Sequence, residues 1–524
     1  MKFRVALTII IITGIANPAY NQVFLPLEND FNFYIQQAVA NNTQFHSAIR
    51  PYNLEELTFD TLRLRPLLNY SFFNRNKKIS VLPIFESSMT VSDKENSYIG
   101  LSAGAAFKFK FGKRWLLQMS AFENLDQLPP FIQEKIDSNK IVPRFGRYLE
   151  KYGRFYSIPQ FNGILNYNPS KYISVAIGHD KFFLGDGYRS LFLSDNPSPF
   201  PFARLIVHVW RIKYLALLAR IDDIDSYSGN SSFQEKYAIM HFLSYNITDR
   251  INIGFFEAII WRGRDTSINR GIELNYLNPV IFMRPVEFSM GSPDNANIGG
   301  SFKFRLFSKT FLYSQLFIDD FSVKQFIANN GWWGDKYGIQ AGIKSFGVLG
   351  NNNLFIQAEF NSVQPYTYSH ESSLSNYGYE YQPLAHPLGA NFRELTGIVR
   401  YNKGRWLFTE KAIAARYGED SNNISYGMNI YKIYDPGQKT VGDVSENGKI
   451  ISFIQSYGNN LGQGLKTNSI INELSIAYIL KPSWNMKIYA GYRYNYKKNL
   501  KEYQSDNYFF IGLSTMLYNN DVDY

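Results

Sequence analysis

The sequence predicts an all-β protein, a transmembrane outer-membrane β-barrel of about eighteen antiparallel strands with a small helical segment near its N-terminus. Three observations carry this prediction. Apolar and polar residues alternate along many segments, short turns alternate with long polar stretches, and aromatic residues gather beside the short turns. No linker or change of composition divides the chain, so we expect one large folded unit.

The first residues have the pattern of a secretory signal peptide, which we assign to 1–21. Two basic residues precede an apolar run at 5–15, and we expect cleavage between Ala16 and Gln22. The alternative, a membrane anchor helix, needs about 20 consecutive apolar residues. The run is too short for an anchor, so the sequence favours export.

Residues 22–78 fit the strand pattern badly. The stretch 27–39 has helical character, with Asn29 or Asp30 as a candidate N-cap. We therefore predict a periplasmic segment, or a plug entering the lumen, at 22–78 and a transmembrane barrel at 79–524.

Three segments show the strand alternation most clearly, at 99–111, 295–306 and 486–496. In each, one face is apolar and the other is small, polar or charged. The pattern predicts that Phe107 and Ile488 face lipid and that their neighbours Lys108 and Lys487 face inward. A soluble β-sandwich buries one face of each strand in the same way, so alternation alone does not decide.

The connections favour the barrel, because its two rims differ in loop length. Tight turns lie at 112–113, 168–170, 211–213, 248–249, 308–309, 350–353, 403–404 and 482–483. Long polar stretches lie at 123–154, 179–201, 222–235, 262–294, 320–335, 365–391 and 416–466. We expect the two kinds of connection to alternate strictly along the chain.

Aromatic residues beside the tight turns predict an interfacial girdle formed by Trp115, Tyr167, Tyr172, Trp210, Tyr214, Tyr401, Trp406 and Trp484. The last predicted strand, 508–518, places one apolar face near the C-terminus, where barrel-assembly machinery recognises its substrates. That face comprises Phe509, Ile511, Leu513 and Leu517. The assembly machinery and outer-membrane lipids are therefore expected partners.

The chain contains no cysteine, which excludes disulfides, thiolate metal sites and a lipid-modified cysteine. Its net charge of +10 favours anionic partners, namely an acidic surface polysaccharide, lipopolysaccharide or the bilayer surface, although a basic balance is also common in exported proteins. No nucleic-acid partner is expected for an exported chain. The six histidines lack metal-ligand spacing and no Gly-x-Ser-x-Gly elbow frames a serine, so we predict no metal, cofactor or catalytic residue.

The densest polar constellation lies at 178–196, where glycines permit tight turns. Its candidate ligand-binding residues are Asp180, Lys181, Asp186, Tyr188 and Arg189. Such a cluster can bind a sugar through hydrogen bonds and an aromatic platform. It fits equally an inward-folded loop held to the wall by ion pairs.

Two further long stretches carry the remaining glycan candidates, Arg284 and Glu287 in one and Trp332, Trp333, Asp335 and Lys336 in the other. Tryptophan rings stack on sugar faces, and adjacent charged groups bond sugar hydroxyls. We expect the two tryptophans to be exposed and to face outward on the long-loop side. The alternative is that they belong to an aromatic belt.

Several segments spread over the chain resemble the Wzi family of capsule-assembly outer-membrane proteins, in the branch found in Bacteroidetes, where the gliding-motility protein RemB is a relative. The matching segments are 45–52 (FHSAIRPY), 178–196, 276–279 (YLNP), 284–288 (RPVEF) and 517–520 (LYNN). The resemblance implies an eighteen-stranded barrel with a periplasmic N-terminal part. It also implies a lectin-like role in holding or organising capsular polysaccharide.

We therefore expect an outer-membrane barrel, not an enzyme, that binds or organises surface polysaccharide in capsule or exopolysaccharide assembly or attachment. Two alternatives remain open. One is a scaffold component of a gliding, secretion or adhesion machine, with other surface proteins as partners. The other is an outer-membrane transport pore.

Overall fold

A computed structural model describes residues 23–57, 77–136, 140–224, 233–264, 270–278, 294–370, 372–420, 424–432, 456–519 and 521–524. Eighteen antiparallel strands close into one barrel, as predicted. In chain order they are β1 Ile79–Ser92, β2 Ser97–Phe111, β3 Trp115–Asp126, β4 Phe155–Tyr167, β5 Ile173–Asp180, β6 Phe200–Val209, β7 Ile212–Arg220, β8 Lys236–Asn246, β9 Ile251–Arg262, β10 Asn295–Phe307, β11 Thr310–Asp320, β12 Lys336–Val348, β13 Asn351–Val363, β14 Phe392–Lys403, β15 Trp406–Glu419, β16 Leu465–Lys481, β17 Met486–Lys498 and β18 Tyr503–Ser514. The barrel closes where β18 pairs with β1.

Short elements decorate this wall. The helices are α1 Asn29–Ala38, α2 Pro130–Gln133 and α3 Val323–Ala328, and 3-10 turns span Leu54–Glu56, Leu274–Leu277 and Pro482–Trp484. Short strands form the pairs Ile49–Arg50 with Phe183–Leu184, Ile141–Val142 with Gly146–Arg147, Asp223–Ile224 with Phe233–Gln234, and Gly378–Tyr379 with Gln382–Pro383, while Glu150–Tyr152 extends β4. Among the described residues, no helix is long and apolar enough to cross a bilayer.

All eight predicted tight turns lie on one rim, and the seven long connections lie on the other. Strict alternation, however, was wrong. On the long-loop rim, β1 and β2 are joined by the short turn 93–96, and β17 and β18 by 499–502. In both strand pairs the ladder continues up to the rim, where Val91 pairs with Ser97 and Lys498 pairs with Tyr503. The chain therefore reverses direction directly after these paired residues.

The predicted strand register is confirmed. Ile488 is 43% exposed on the outer face, whereas Lys108 is completely buried in the barrel. Lys487 points inward and donates from Nζ to Glu28 Oε1 at 3.0 Å. A polar inner face and an apolar outer face are what a transmembrane barrel requires.

The aromatic girdle is present with one exception. Trp115, Trp210 and Trp406 are exposed on the outer face beside the short turns. Trp484 instead packs against the interior cluster that contains the N-terminal segment. Lys481 Nζ, at the end of β16, lies 3.4 Å from the centre of the Trp484 ring. Trp484 therefore contacts both the wall and the interior cluster.

The N-terminal segment lies against inward-facing wall residues at the short-turn rim. Helix α1 forms where predicted, but its N-cap is Glu28, whose side chain accepts from Phe31 N at 2.9 Å. Asp30 in its first turn pairs with Arg400 of β14 at 3.2 Å. The predicted signal peptide lies outside the described residues, and the assignment of 22–78 as a separate segment stays a prediction.

The predicted end of the last strand was wrong. The last strand ends at Ser514 and not at 518, and Leu517 is 2% exposed inside the barrel rather than on the lipid face. It packs with Leu82 and Phe122 in the cluster that also holds the N-terminal segment. The described residues of 515–524 therefore form a tail that turns back into the lumen.

Candidate functional site

One half of the lumen is filled by two loops from the long-loop rim, 181–199 and the described part of 364–391. Phe192 of the first loop stacks on Phe256 of β9 at 4.7 Å, and Tyr377 of the second donates its hydroxyl to Phe192 O at 2.8 Å. Both belong to a buried cluster whose wall residues lie on β4–β9, β11 and β13–β15. A wide aqueous pore is therefore absent from this half of the described barrel.

The 178–196 constellation lies mostly within the first of these loops, held inward by charged contacts. Asp186 pairs with Lys303 at 3.5 Å and Lys344 at 3.7 Å and accepts a hydrogen bond from Ser47. Lys181 donates to Arg144 O at 2.7 Å. The arrangement matches the inward-folded loop that the sequence left open as an alternative to a sugar site.

Arg189 joins this loop to the C-terminal tail and the wall. Its guanidinium donates to Asp523 Oδ1 at 2.8 Å and to Asp523 O at 2.7 Å, and it approaches Glu394 Oε1 of β14 at 3.3 Å. Tyr188 and Lys411 also bind Asp523. Although burial acts in the opposite direction, the positive charges of Arg189 and Lys411 hold the pKa of Asp523 well below its usual range.

The other half of the lumen contains a cavity of about 400 Å³. It borders β1, β2 and β14–β18, the tail 515–524 and, toward the short-turn rim, the start of α1. Two of the connections above these strands, 93–96 and 499–502, are short, whereas the one between β15 and β16 spans 420–464 and the one after β3 contributes α2 to the cavity lining. Many inward side chains here are only half-buried, including Glu86, Ser88 and Ser475, so we infer that water fills the cavity.

The cavity combines polar groups with aromatic faces. Tyr489 donates its hydroxyl to Glu86 Oε1 at 2.8 Å. Helix α2 places Phe131 against Tyr508 with ring centres 5.3 Å apart, and the Arg493 guanidinium lies 4.5 Å from the centre of the Phe131 ring. Rings beside acceptors and donors are the elements from which carbohydrate sites are built.

The rim tryptophans form a second cluster, and they are half-buried rather than fully exposed. The rings of Trp332 and Trp333 lie 5.8 Å apart, and Lys336 Nζ lies 5.1 Å from the Trp333 ring centre. Trp333 N donates to Ser456 O at 3.2 Å, and Trp333 packs on Tyr366. Three loops therefore meet here, which places these rings among loops rather than in a lipid belt.

This cluster contains polar atoms that lack a described hydrogen-bond partner. Among the described residues, Asp335 Oδ1 and His370 Nδ1 are both buried without one. Burial raises the pKa of Asp335 above its ordinary value. Because an unpaired buried polar atom costs free energy, a ligand that supplied its partner would bind more tightly.

The predicted site residues thus separate into different places. Asp186 and Arg189 are held in ion pairs in the lumen. The loop residue Lys181 is held by a hydrogen bond to a backbone carbonyl, and Asp180 accepts from Lys181 N at 2.8 Å. Among these loop residues, Tyr188 borders the cavity. Arg284 and Glu287 lie outside the described residues.

Sequence reasoning did not single out the cavity residues Glu86, Tyr489 and Phe131. In the sequence, these residues are only polar or aromatic residues at inward positions of separate strands or within a loop, and no local pattern connects them. Within the described part of the chain, no group of three or more histidine and acidic side chains is placed to hold a metal ion.

Comparison with known proteins supports the fold. No family model matches the chain, and no curated protein matches it. The structure is similar to Wzi, an outer-membrane protein involved in group 1 capsule assembly in Escherichia coli and described as a carbohydrate-binding β-barrel, with 11% identity, a TM-score of 0.55, and coverage of 94% of this chain and 98% of that one. OprD of Pseudomonas aeruginosa is matched with 11% identity, a TM-score of 0.42, and coverage of 83% and 94%.

Proposed function

We propose that this protein is an exported, non-catalytic outer-membrane barrel that binds surface polysaccharide during capsule or exopolysaccharide assembly or attachment. The observation that carries the proposal is the polar and aromatic cavity in the lumen, bordered by β1, β2, β14–β18 and the C-terminal tail. The carbohydrate binding described for the similarly folded Wzi agrees with it. The resemblance to the Bacteroidetes branch remains part of this proposal.

A binding cavity accounts for the architecture better than a nutrient pore. The loop 181–199, the N-terminal segment and the C-terminal tail together fill much of the lumen with buried contacts. The remaining cavity of about 400 Å³ matches the size of small-ligand sites, which span roughly 300 to 1,000 Å³. A polysaccharide chain end fits this cavity, whereas threading a whole polymer requires the loops to move.

Filling the cavity should abolish most glycan binding. Thr409 lines the cavity from β15, and Thr409→Trp places a large ring in that space. We expect the affinity of the purified barrel for labelled surface polysaccharide from the native cell to fall at least about tenfold, or 1.4 kcal/mol. Binding is measured by fluorescence anisotropy in detergent.

Thr310→Trp is the matched control, because Thr310 faces outward beside a short turn of β11, where a tryptophan suits the membrane interface. Glycan affinity should be unchanged in this variant. Equal affinity of both variants and the original protein would remove the cavity from the proposal. A large, stable conductance in planar bilayers together with no glycan binding would favour the transport alternative.

The rim tryptophans are expected to make a separate contribution. The double change Trp332→Ala and Trp333→Ala removes two stacking platforms worth about 0.5 to 1.5 kcal/mol each. Since a repeating polymer engages several barrels at once, multivalency should amplify this loss into a severalfold fall in polysaccharide retained on cells. Surface barrel and retained polysaccharide are quantified on the same cells.

Trp210→Ala provides the control, since Trp210 is an exposed girdle residue on the opposite rim. It should leave retained polysaccharide unchanged at equal barrel level. If the rim double variant lowers barrel level and polysaccharide in proportion, Trp332 and Trp333 act in assembly and not in glycan binding.

A further inference from the structure

The lipid-facing wall carries a carboxylate where apolar side chains are expected. Glu410 of β15 points outward and is exposed. It lies four positions beyond the girdle residue Trp406, so at about 3.4 Å per residue on a strand tilted by about 40° it stands about 10 Å deeper in the wall. The apolar band of such barrels is about 25 Å tall, which places Glu410 well within it.

The contacts within the chain satisfy this carboxylate only in part. Asn472 of β16, also outward-facing, donates from Nδ2 to Glu410 Oε1 at 3.3 Å. An ionised carboxylate offers about four acceptor positions. An amide nitrogen has a second N–H as well, so both partners retain hydrogen-bonding capacity directed toward the surroundings of the barrel.

Elsewhere the protein shields an outward-facing carboxylate and its polar partner. On β8 and β9, His241 Nδ1 lies 3.4 Å from Glu257 Oε2, and the two side chains are 1% and 2% exposed. Neighbouring outward residues Trp261 and Tyr276 are buried together against the same wall. Protein and not lipid therefore covers the pair at His241, whereas Glu410 is left exposed.

The surface around Glu410 is shaped for close approach. Gly397 and its register partner Ala412, together with Ala414, leave little side-chain bulk on the outer face. A side chain added at Gly397 would meet nothing within 4 Å. Leu395 and Leu474, both exposed, border this flat area, so a shallow apolar surface surrounds the Glu410–Asn472 pair. A second outward pair, Arg416 Nε to Asn468 Oδ1 at 3.1 Å, lies closer to the long-loop rim.

We propose that the outer wall of β14–β16 is an interface with a second copy of this chain. This surface is self-complementary, because a two-fold axis beside the pair sets Glu410 of each copy opposite Asn472 of the other. Each carboxylate then gains a second amide donor away from lipid. The small residues let the two walls approach closely enough for this exchange. The proposal does not depend on the polysaccharide function.

Site-specific cross-linking tests it directly, because the chain has no cysteine and each variant carries a single thiol. Ala412→Cys places the thiol within the proposed interface. Oxidation in isolated outer membranes should give a disulfide-linked species of twice the mass, severalfold more abundant than for Leu316→Cys. Leu316 is an exposed outward residue of β11 and lies on a distant part of the wall.

A second variant tests the contribution of the Glu410–Asn472 pair separately from that of the surrounding surface. Adding Glu410→Leu to Ala412→Cys should lower the cross-linked fraction severalfold, while a gel-shift assay shows the barrel still folded. Equal cross-linking at positions 412 and 316 would overturn the interface. A product of any other mass would replace the second copy by a different protein, and an unchanged yield with Glu410→Leu would overturn the role of the polar pair.

Discussion

Arg189→Leu is expected to destabilise the barrel by about 3 to 5 kcal/mol, the usual cost of removing one member of a buried ion pair. The reason is that Asp523 and Glu394 would each lose a buried guanidinium partner. The tail 521–524 should then detach from the lumen. Urea unfolding of the barrel in lipid vesicles measures the loss, and limited proteolysis reports the tail.

Arg154→Leu is the control, because Arg154 is exposed in a loop, and its free energy of unfolding should change by no more than about 0.5 kcal/mol. Combining Arg189→Leu with Asp523→Asn should cost less than the sum of the two single changes, since the partners interact directly. Equal stability of the Arg189 and Arg154 variants would show that the tail is not anchored through this residue.

The wall could be predicted because each strand carries its own evidence. Along β2, the outward positions from Ile99 to Phe111 are apolar or small, and a turn residue follows at Gly112. Such a pattern needs no knowledge of distant residues. Strand number, register and the rim of the tight turns therefore followed from local signals alone.

The end of β18 could not be predicted in this way. Leu517 continues the alternation of Phe509 and Ile511, yet Thr515 ends the strand, because its hydroxyl accepts from Phe85 N at 2.8 Å and donates to Pro83 O at 2.9 Å. These contacts join residues more than 400 positions apart in the sequence. Tertiary contacts thus override the local pattern.

The residues of the candidate site also differ in whether the sequence alone could reveal them. The 178–196 block was visible because its polar residues are adjacent in the sequence, although its partner Asp523 is 334 positions from Arg189. The cavity residues are scattered over separate strands, one to three to a strand, and over the segments that connect or follow them. Each is an ordinary inward-facing polar residue until barrel closure brings them together.

A cation on the outer face should impair the barrel far more than one facing the cavity. Phe85 is exposed on the lipid side of β1 near mid-strand, and Ser88 on the same strand faces the cavity near Asp126. A lysine at the bilayer midplane costs about 2 to 4 kcal/mol. We therefore expect Phe85→Lys to lower the free energy of unfolding in vesicles by about that amount.

Ser88→Lys supplies the matched comparison, because the new ammonium meets water and the Asp126 carboxylate instead of acyl chains. Gly100 lies opposite Ser88, and a side chain added at Gly100 would come within 3.0 Å of Asp126 Oδ1. The Asp126 carboxylate therefore lies close to the Ser88 side chain. Since a partner charge offsets desolvation, this variant should insert almost as well as the original protein. Equal losses in the two variants would mean that β1 does not present Phe85 to lipid, and the register on which the outer wall, the cavity and the position of Glu410 all depend would have to be revised.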